Sequence, residues 1–210
     1  MSSSLSPSPL WSNSIKELVK HFENKEIGGV SGNPIPSLPR KNLFYEWTVM
    51  SYKKMNQIRL DEDKKGIFWH MSGYLCAYRK EALPILPLAK GAVDALMGNF
   101  IKEKGYKITY EPKAEVFVKA PLTATDFINQ KARVRSGFYS LGAKYKNRPR
   151  KMKSEIIYFP KEMLKVKTGR LPAFFYSAFI YLYAWLKGWY LFKKKASLKQ
   201  TWKHIISTKK

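Results

Sequence analysis

Ile27-Gly28-Gly29-Val30-Ser31-Gly32-Asn33-Pro34 is the stretch from which the fold is read. Ile27 to Ser31 reads as a short buried strand, and Gly32-Asn33-Pro34 as the turn that closes it. Upstream, Ser14-Ile15-Lys16-Glu17 has the form of a capping box, and Ile15, Leu18, Val19 and Phe22 follow at helical spacing, so a helix is expected to end near Lys25. Downstream, Pro36 to Arg40 reads as loop and Leu43 to about Leu60 as a second helix carrying Phe44, Trp47, Met50 and Met55. Asp61 to Gly66 follows as a charged loop, then short strands at Ile67 to Trp69 and Tyr74 to Tyr78. A helix from about Ala92 to Lys104, strands at Lys107 to Tyr110 and Glu115 to Lys119, and a helix capped by Thr125 or Asp126 and running to about Leu141 complete the series. Helices alternating with short strands predict an α/β layer architecture. Neither the G-x-x-x-x-G-K-[ST] nor the G-x-G-x-x-G phosphate loop occurs.

Composition bounds the function. The chain has 210 residues, 45% hydrophobic and 15% aromatic, enough for a packed core and too apolar for global disorder. Its formal charge is +24, from 39 Lys+Arg against 15 Asp+Glu, which calls for an anionic partner. The charge is uneven: from Asn129 onward there are 21 basic residues and two acids, Glu155 and Glu162, leaving a net of only +5 before it. A single cysteine, Cys76, excludes an internal disulfide framework, and three scattered histidines leave little for a His-rich metal site. Met1 to Ser12, with six Ser and two Pro, reads as a flexible lead-in and not as a signal peptide. The remainder divides into a globular part, 13–150, and a basic, aromatic-rich tail, 151–210.

Several blocks, taken in order, carry a resemblance. Gly28-Gly29-Val30-Ser31-Gly32 is followed by Met71-Ser72-Gly73-Tyr74-Leu75-Cys76-Ala77-Tyr78-Arg79, then by Asp94 eleven residues before Gly105-Tyr106-Lys107-Ile108. Pro112-Lys113-Ala114-Glu115-Val116 and Gln130-Lys131-Ala132-Arg133-Val134 close the series. Over roughly Ser14 to Leu141 this resembles the C-terminal, acceptor-side half of a family 2 glycosyltransferase of the hyaluronan- and cellulose-synthase-like kind. The resemblance implies a partial GT-A fold, the nucleotide-diphospho-sugar transferase fold without its N-terminal nucleotide-binding half, followed by a basic aromatic membrane-interface helix.

The resemblance also implies roles. Asp94 matches the catalytic aspartate that takes the proton from the acceptor hydroxyl, with Val93 where the family usually has a second acid. Gln130 and Arg133 match the first and fourth positions of the Gln-x-x-Arg-Trp motif over the donor diphosphate and acceptor end, with Val134 in place of Trp. Ser72 and Gly73 match the acceptor-side segment beneath the base. The reaction implied is inverting transfer of a sugar from a nucleotide-sugar to a lipid-linked or glycan acceptor. The family's Asp-x-Asp motif, which holds Mg²⁺ or Mn²⁺, would fall just upstream of Ser14, so the metal is implied without ligands in this chain. Asp61-Glu62-Asp63 lies on the wrong side of the Gly-Gly strand and reads as a solvated loop. The chain is therefore expected to be a fragment, a remnant, or one half of a split enzyme that pairs with a separate nucleotide-binding chain.

Elementary chemistry agrees in part. A carboxylate in a helix's first turn is held ionised by the helix dipole, as a base must be. Arg133 offers a planar fork suited to a diphosphate gaining charge. Gly98, mid-helix beside Asp94, is expected to clear room for a sugar. Each residue also has a plainer reading: Asp94 as a dipole or capping residue, Ser72-Gly73 as a turn, Cys76 as a small core residue, and His70 as structural. Gln130, Lys131, Arg133 and Arg135 would then be a solvated basic face.

Leu171 to Phe192 reads LPAFFYSAFIYLYAWLKGWYLF, ten aromatics in 22 residues with one charge, Lys187. The 16 uncharged residues before Lys187 would make a helix of about 24 Å, short of the roughly 20 residues a span requires. Flanked by Lys193-Lys194-Lys195 and the basic run from Lys144 to Lys167, it is expected to lie in or dip into an anionic membrane surface at the cytoplasmic face. The alternatives are a helix packed on the rest of the enzyme, a non-catalytic docking subunit of a glycosyltransferase, or a basic RNA-binding protein, for which no recognised module is present.

Overall fold

The structure, a computed structural model, describes residues 9–83, 93–145 and 163–195. The lead-in before Pro9, the expected helix start at Ala92, most of the basic run between Lys144 and Lys167, and the chain after Lys195 lie outside them. The α-helices are α1 (Pro9–Val19), α2 (Tyr45–Lys64), α3 (Val93–Glu103), α4 (Ala124–Tyr145) and α5 (Leu171–Lys193). The strands are β1 (Ile27–Ser37), β2 (Cys76–Tyr78) and β3 (Lys107–Lys119). The architecture is mixed α/β, as expected.

The described strands form one sheet in the order β2-β1-β3. β1 and β2 run antiparallel, with Gly29 opposite Tyr78 and Ser31 opposite Cys76. Lys107 N donates to the Glu26 carbonyl at one end of β3, and Ala120 N to the Ser37 carbonyl at the other, so β1 and β3 run parallel. A parallel pair needs a long crossover, and the chain through α2, β2 and α3 supplies it.

Several expected boundaries are corrected. β1 does not close at Gly32-Asn33-Pro34 but runs on to Ser37. Gly32 N donates to the Leu75 carbonyl, so even-numbered residues of β1 face β2, and β2 ends opposite Ser31. Pro34 and Pro36 thus fall past the end of β2, where a missing N–H leaves no ladder bond unmade. The two strands expected on either side of Pro112 are one: Ile108, Tyr110, Ala114 and Val116 keep a period of two on the buried face. α2 continues through Asp61-Glu62-Asp63, so this stretch is the last turn of a helix and not a solvated loop. Ile67 to Trp69 forms no strand. Thr123 Oγ1, not Thr125 or Asp126, caps α4 by accepting from Asp126 N at 3.2 Å. Ser14 is not a helix cap either. α1 starts at Pro9, inside the expected lead-in, and the Ser14 hydroxyl donates to the Glu115 carbonyl at 2.7 Å.

The chain divides into two compact units. The first comprises Met1–Ile35, Asn56–Pro87 and Asp94–Val118; the second comprises Pro36–Met55, Leu88–Val93 and Lys119–Lys210. The first unit's core is Phe68, Met71, Ala82, Ile101, Ile108 and Tyr110, with a satellite of Leu18, Val30 and Ala114. Each large apolar side chain fully buried there contributes about 1.5–3 kcal/mol. Arg79 fastens its edge, donating from Nε to the Ile27 carbonyl at 2.8 Å and from the guanidinium to the Phe22 and Asn24 carbonyls. The second unit is centred on Phe44, Trp47, Phe127 and Phe174, with Phe44 stacked on Phe127 at 4.6 Å.

In the second unit α5 packs along α4. The buried residues of α5 are Phe174, Ser177, Ala184 and Gly188, a seam at helical spacing made largely of small residues. A Cβ on Gly188 would lie 2.8 Å from the Ala132 carbonyl oxygen, so only glycine lets the two backbones come this close. Lys187, the one charge inside the aromatic stretch, donates to Asn129 Oδ1 at 3.1 Å. Among the described residues, no helix is long and apolar enough to cross a membrane.

Candidate functional site

Asp94 is the second residue of α3, within the first turn, where free backbone N–H groups and the helix dipole favour a negative side chain. The boundary follows from the sequence: Leu96, Met97, Phe100 and Ile101 form an apolar stripe, from which Ile101, fully buried, and Met97 pack in the first unit's core. The Asp94 side chain keeps 31% of its surface exposed, so solvent or a substrate can reach it.

Three features converge on this carboxylate. His70 Nε2 lies 3.7 Å from Asp94 Oδ2, and its side chain is only 13% exposed. That separation exceeds an ordinary hydrogen bond but permits an ion pair once the imidazole is protonated. A Cβ at Gly73 would stand 3.3 Å from Asp94 Oδ2, so the missing side chain keeps the space beside the carboxylate open. The Cys76 thiol is pushed up to about 11, first by burial and then by the negative charge of Asp94.

Ser72 secures the turn that presents Gly73. It is buried, its N–H donates to Ser31 Oγ at 2.9 Å, and its Oγ accepts from Tyr74 N at 3.3 Å. With both groups engaged, Ser72 holds the segment in place, while Gly73 is the residue at the carboxylate.

The expectation for Gly98 is overturned. A Cβ there would meet the Trp69 carbonyl oxygen at 1.9 Å, so the space is filled by this protein's own backbone and no sugar enters it. The glycine lets the segment leading into His70 cross α3 closely, and thereby sets the height of His70 against Asp94.

Gln130 and Arg133 lie one turn apart on α4, both half-buried, in the second unit. The first unit by itself brings together Asp94, Ser72 and Gly73; the second holds Gln130 and Arg133. Val134 is exposed at 45%. Arg135 is not part of a solvated basic face: it is buried, with its guanidinium 5.1 Å from the Trp185 ring centre and an N–H donated to the Tyr181 hydroxyl at 3.4 Å.

Among the described residues no group of three or more His, Cys, Asp and Glu side chains could hold a metal ion. Asp63 Oδ1 accepts from Thr109 Oγ1 and Tyr110 N at 2.9 Å each, and Asp61 accepts from Gln57 Nε2. Asp63 therefore ties α2 to β3.

The placement of His70 beside Asp94 is a feature the sequence pattern alone did not bring out. Its signal was present, two positions before Ser72 in the block that carries the resemblance. No protein-family model matches the chain, and no curated protein matches it either.

Proposed function

We propose that this chain is the acceptor-side half of an inverting, family 2-like glycosyltransferase with a GT-A fold, acting on a lipid-linked or glycan acceptor. The observation that carries the reading is Asp94: a partly exposed carboxylate in the first turn of α3, beside a glycine that leaves room for an acceptor hydroxyl. In the proposed step Asp94 accepts the proton of that hydroxyl as its oxygen forms the bond to the anomeric carbon. The bond from that carbon to the diphosphate breaks on the opposite side, so the configuration inverts and the leaving diphosphate carries away the electron pair. Arg133 and Gln130 are assigned to the diphosphate, where a guanidinium fork stabilises the growing negative charge. A cationic His70, 3.7 Å away, would stabilise the Asp94 carboxylate and weaken it as a base, so the step calls for a neutral His70.

The test is binding and turnover of a panel of nucleotide-diphospho-sugars with Mn²⁺ or Mg²⁺ by the chain combined with a separate nucleotide-binding half, followed by calorimetry and by release of nucleoside diphosphate. Heat that disappears in Arg133→Ala is expected. Transfer should fall by about 10²–10⁴-fold in Asp94→Asn, the usual loss on removing a general base. Binding retained in Arg133→Ala, or turnover untouched in Asp94→Asn, refutes the assignment.

A further inference from the structure

The face of α5 turned away from α4 is apolar and exposed. Phe175, Phe179, Leu182, Leu186 and Trp189 follow one another at spacings of four and three, each roughly half exposed or more, with Phe179 at 69%. Tyr183 and Tyr190 flank them, both about half exposed. At 3.6 residues per turn these positions cover an arc of about 120° opposite the seam of Phe174, Ser177, Ala184 and Gly188. Tyr183, Leu186, Trp189 and Tyr190 also line a shallow groove of about 480 Å³. An exposed patch of this kind marks an interaction surface.

The charge around the face says what covers it. From Met163 to Lys195 there are seven basic residues and no Asp or Glu. At the C-terminal end Lys194 Nζ lies 4.9 Å from the Tyr190 ring centre and Lys193 Nζ 5.8 Å from that of Trp189, which puts cations at the border of the apolar surface. Two copies of this chain meeting face to face would bring these like charges together. A nucleic acid would need planar groups interleaved with cations, whereas Leu182 and Leu186 occupy the middle of the face. Tyr and Trp beside a lysine cluster have the composition of the headgroup region of a bilayer.

We infer that α5 lies flat in the surface of a membrane containing acidic phospholipids, with the Phe175–Trp189 face buried among headgroups and upper acyl chains and Lys193–Lys195 on the phosphates. The helix cannot turn to span, because its opposite face is committed: Gly188 admits the α4 backbone, Lys187 bonds Asn129, and the Ser177 hydroxyl donates to the Leu43 carbonyl at 2.8 Å. An in-plane amphipathic helix binds through buried apolar area plus attraction to anionic lipid. This inference does not depend on sugar transfer.

The experiment is flotation of the full chain with phosphatidylcholine vesicles and with mixed phosphatidylcholine–phosphatidylserine vesicles. Two variants are compared, Phe179→Ser/Leu186→Ser and Lys193→Gln/Lys194→Gln/Lys195→Gln. Wild type should bind both vesicles and prefer the mixed ones. The lysine variant should lose about 100-fold on mixed vesicles and little on neutral ones, from about tenfold or less per lysine. The apolar variant should lose tenfold or more on both. All five positions are exposed, so unchanged melting curves establish that the variants fold. No vesicle binding by wild type overturns the inference, as does undiminished binding by the apolar variant. A dimer in light scattering that Phe179→Ser dissolves, without vesicle binding, would make the face a self-interface. Salt-steep RNA binding in place of vesicle binding would assign it to nucleic acid. No nucleotide-sugar is present, so failure here is distinct from failure of the transferase reading.

Discussion

Gly98→Ala tests the packing that positions Asp94. In an exposed helix interior, alanine is about 1 kcal/mol more favourable than glycine, so sequence alone favours a more stable variant. The structure reverses the sign. The new methyl would lie 1.9 Å from the Trp69 carbonyl oxygen and 3.2 Å from the Trp69 carbonyl carbon, both backbone atoms that no rotamer change can move aside. The variant must displace either α3 or the segment through Trp69 and His70. Overpacking of this kind costs about 1–3 kcal/mol, and backbone contact belongs at the upper end. Setting about 3 kcal/mol of strain against about 1 kcal/mol of helix propensity leaves the variant roughly 2 kcal/mol less stable. For a chain of this size the melting midpoint should fall by about 4–8 °C, read by circular dichroism at 222 nm. Gly169→Ala is the control, because nothing lies within 4 Å of a Cβ there, and its midpoint should hardly change. A Gly98→Ala protein as stable as wild type would refute the close crossing, and with it the account of how His70 is held against Asp94.

Other predictions follow from the same geometry. Gly188→Ala should destabilise by about 1–3 kcal/mol in denaturant titrations, because its Cβ would meet the Ala132 carbonyl and Arg135 Cβ at 2.8 Å. Asp63→Ala should cost about 1–3 kcal/mol by stranding the Tyr110 N–H and the Thr109 hydroxyl, while Asp61→Ala, which loses only an exposed bond to Gln57, should change little. With its thiol pushed up to about 11, Cys76 should react with iodoacetamide at pH 8 about 100-fold more slowly than a free cysteine. Asp94→Asn should speed that alkylation by removing a nearby negative charge. Because the folded thiol holds its proton more tightly than the unfolded one, stability is full below the ordinary thiol value of 9.0 and falls as pH rises towards 11. Glu111 has the opposite sign: burial raises it, but hydrogen bonds from His21, the Lys113 amide and Lys20 outweigh that and hold it low. Its contribution is present above 4.5 and fades as pH drops below, so Glu111→Gln should flatten the acid limb of a stability profile.

Periodicity and composition by themselves determined the longer helices, because the apolar faces recur where local geometry demands. α3 was expected from about Ala92 to Lys104 and runs Val93–Glu103; α5 was expected over Leu171 to Phe192 and runs Leu171–Lys193. Asp94's place in a first turn was legible for the same reason, as was the mixture of α and β. Tertiary structure decided what turn chemistry misreported. Pro34, Pro36 and Pro112 look like breaks in a linear reading, yet they sit in strands where the missing N–H has no ladder partner or the strand is an edge. The glycines divide in the same way. Gly73 and Gly98 are indistinguishable as letters, but one leaves space beside a carboxylate and the other is filled by the Trp69 carbonyl. Likewise Ser14 and Asp63 carry local signatures of a cap and a loop, and spend their polar atoms on β3, 101 and 46 residues away along the chain. A hydrogen-bonding side chain takes whichever partner folding brings within 3 Å, and that partner is set by long-range packing, which no window of sequence contains.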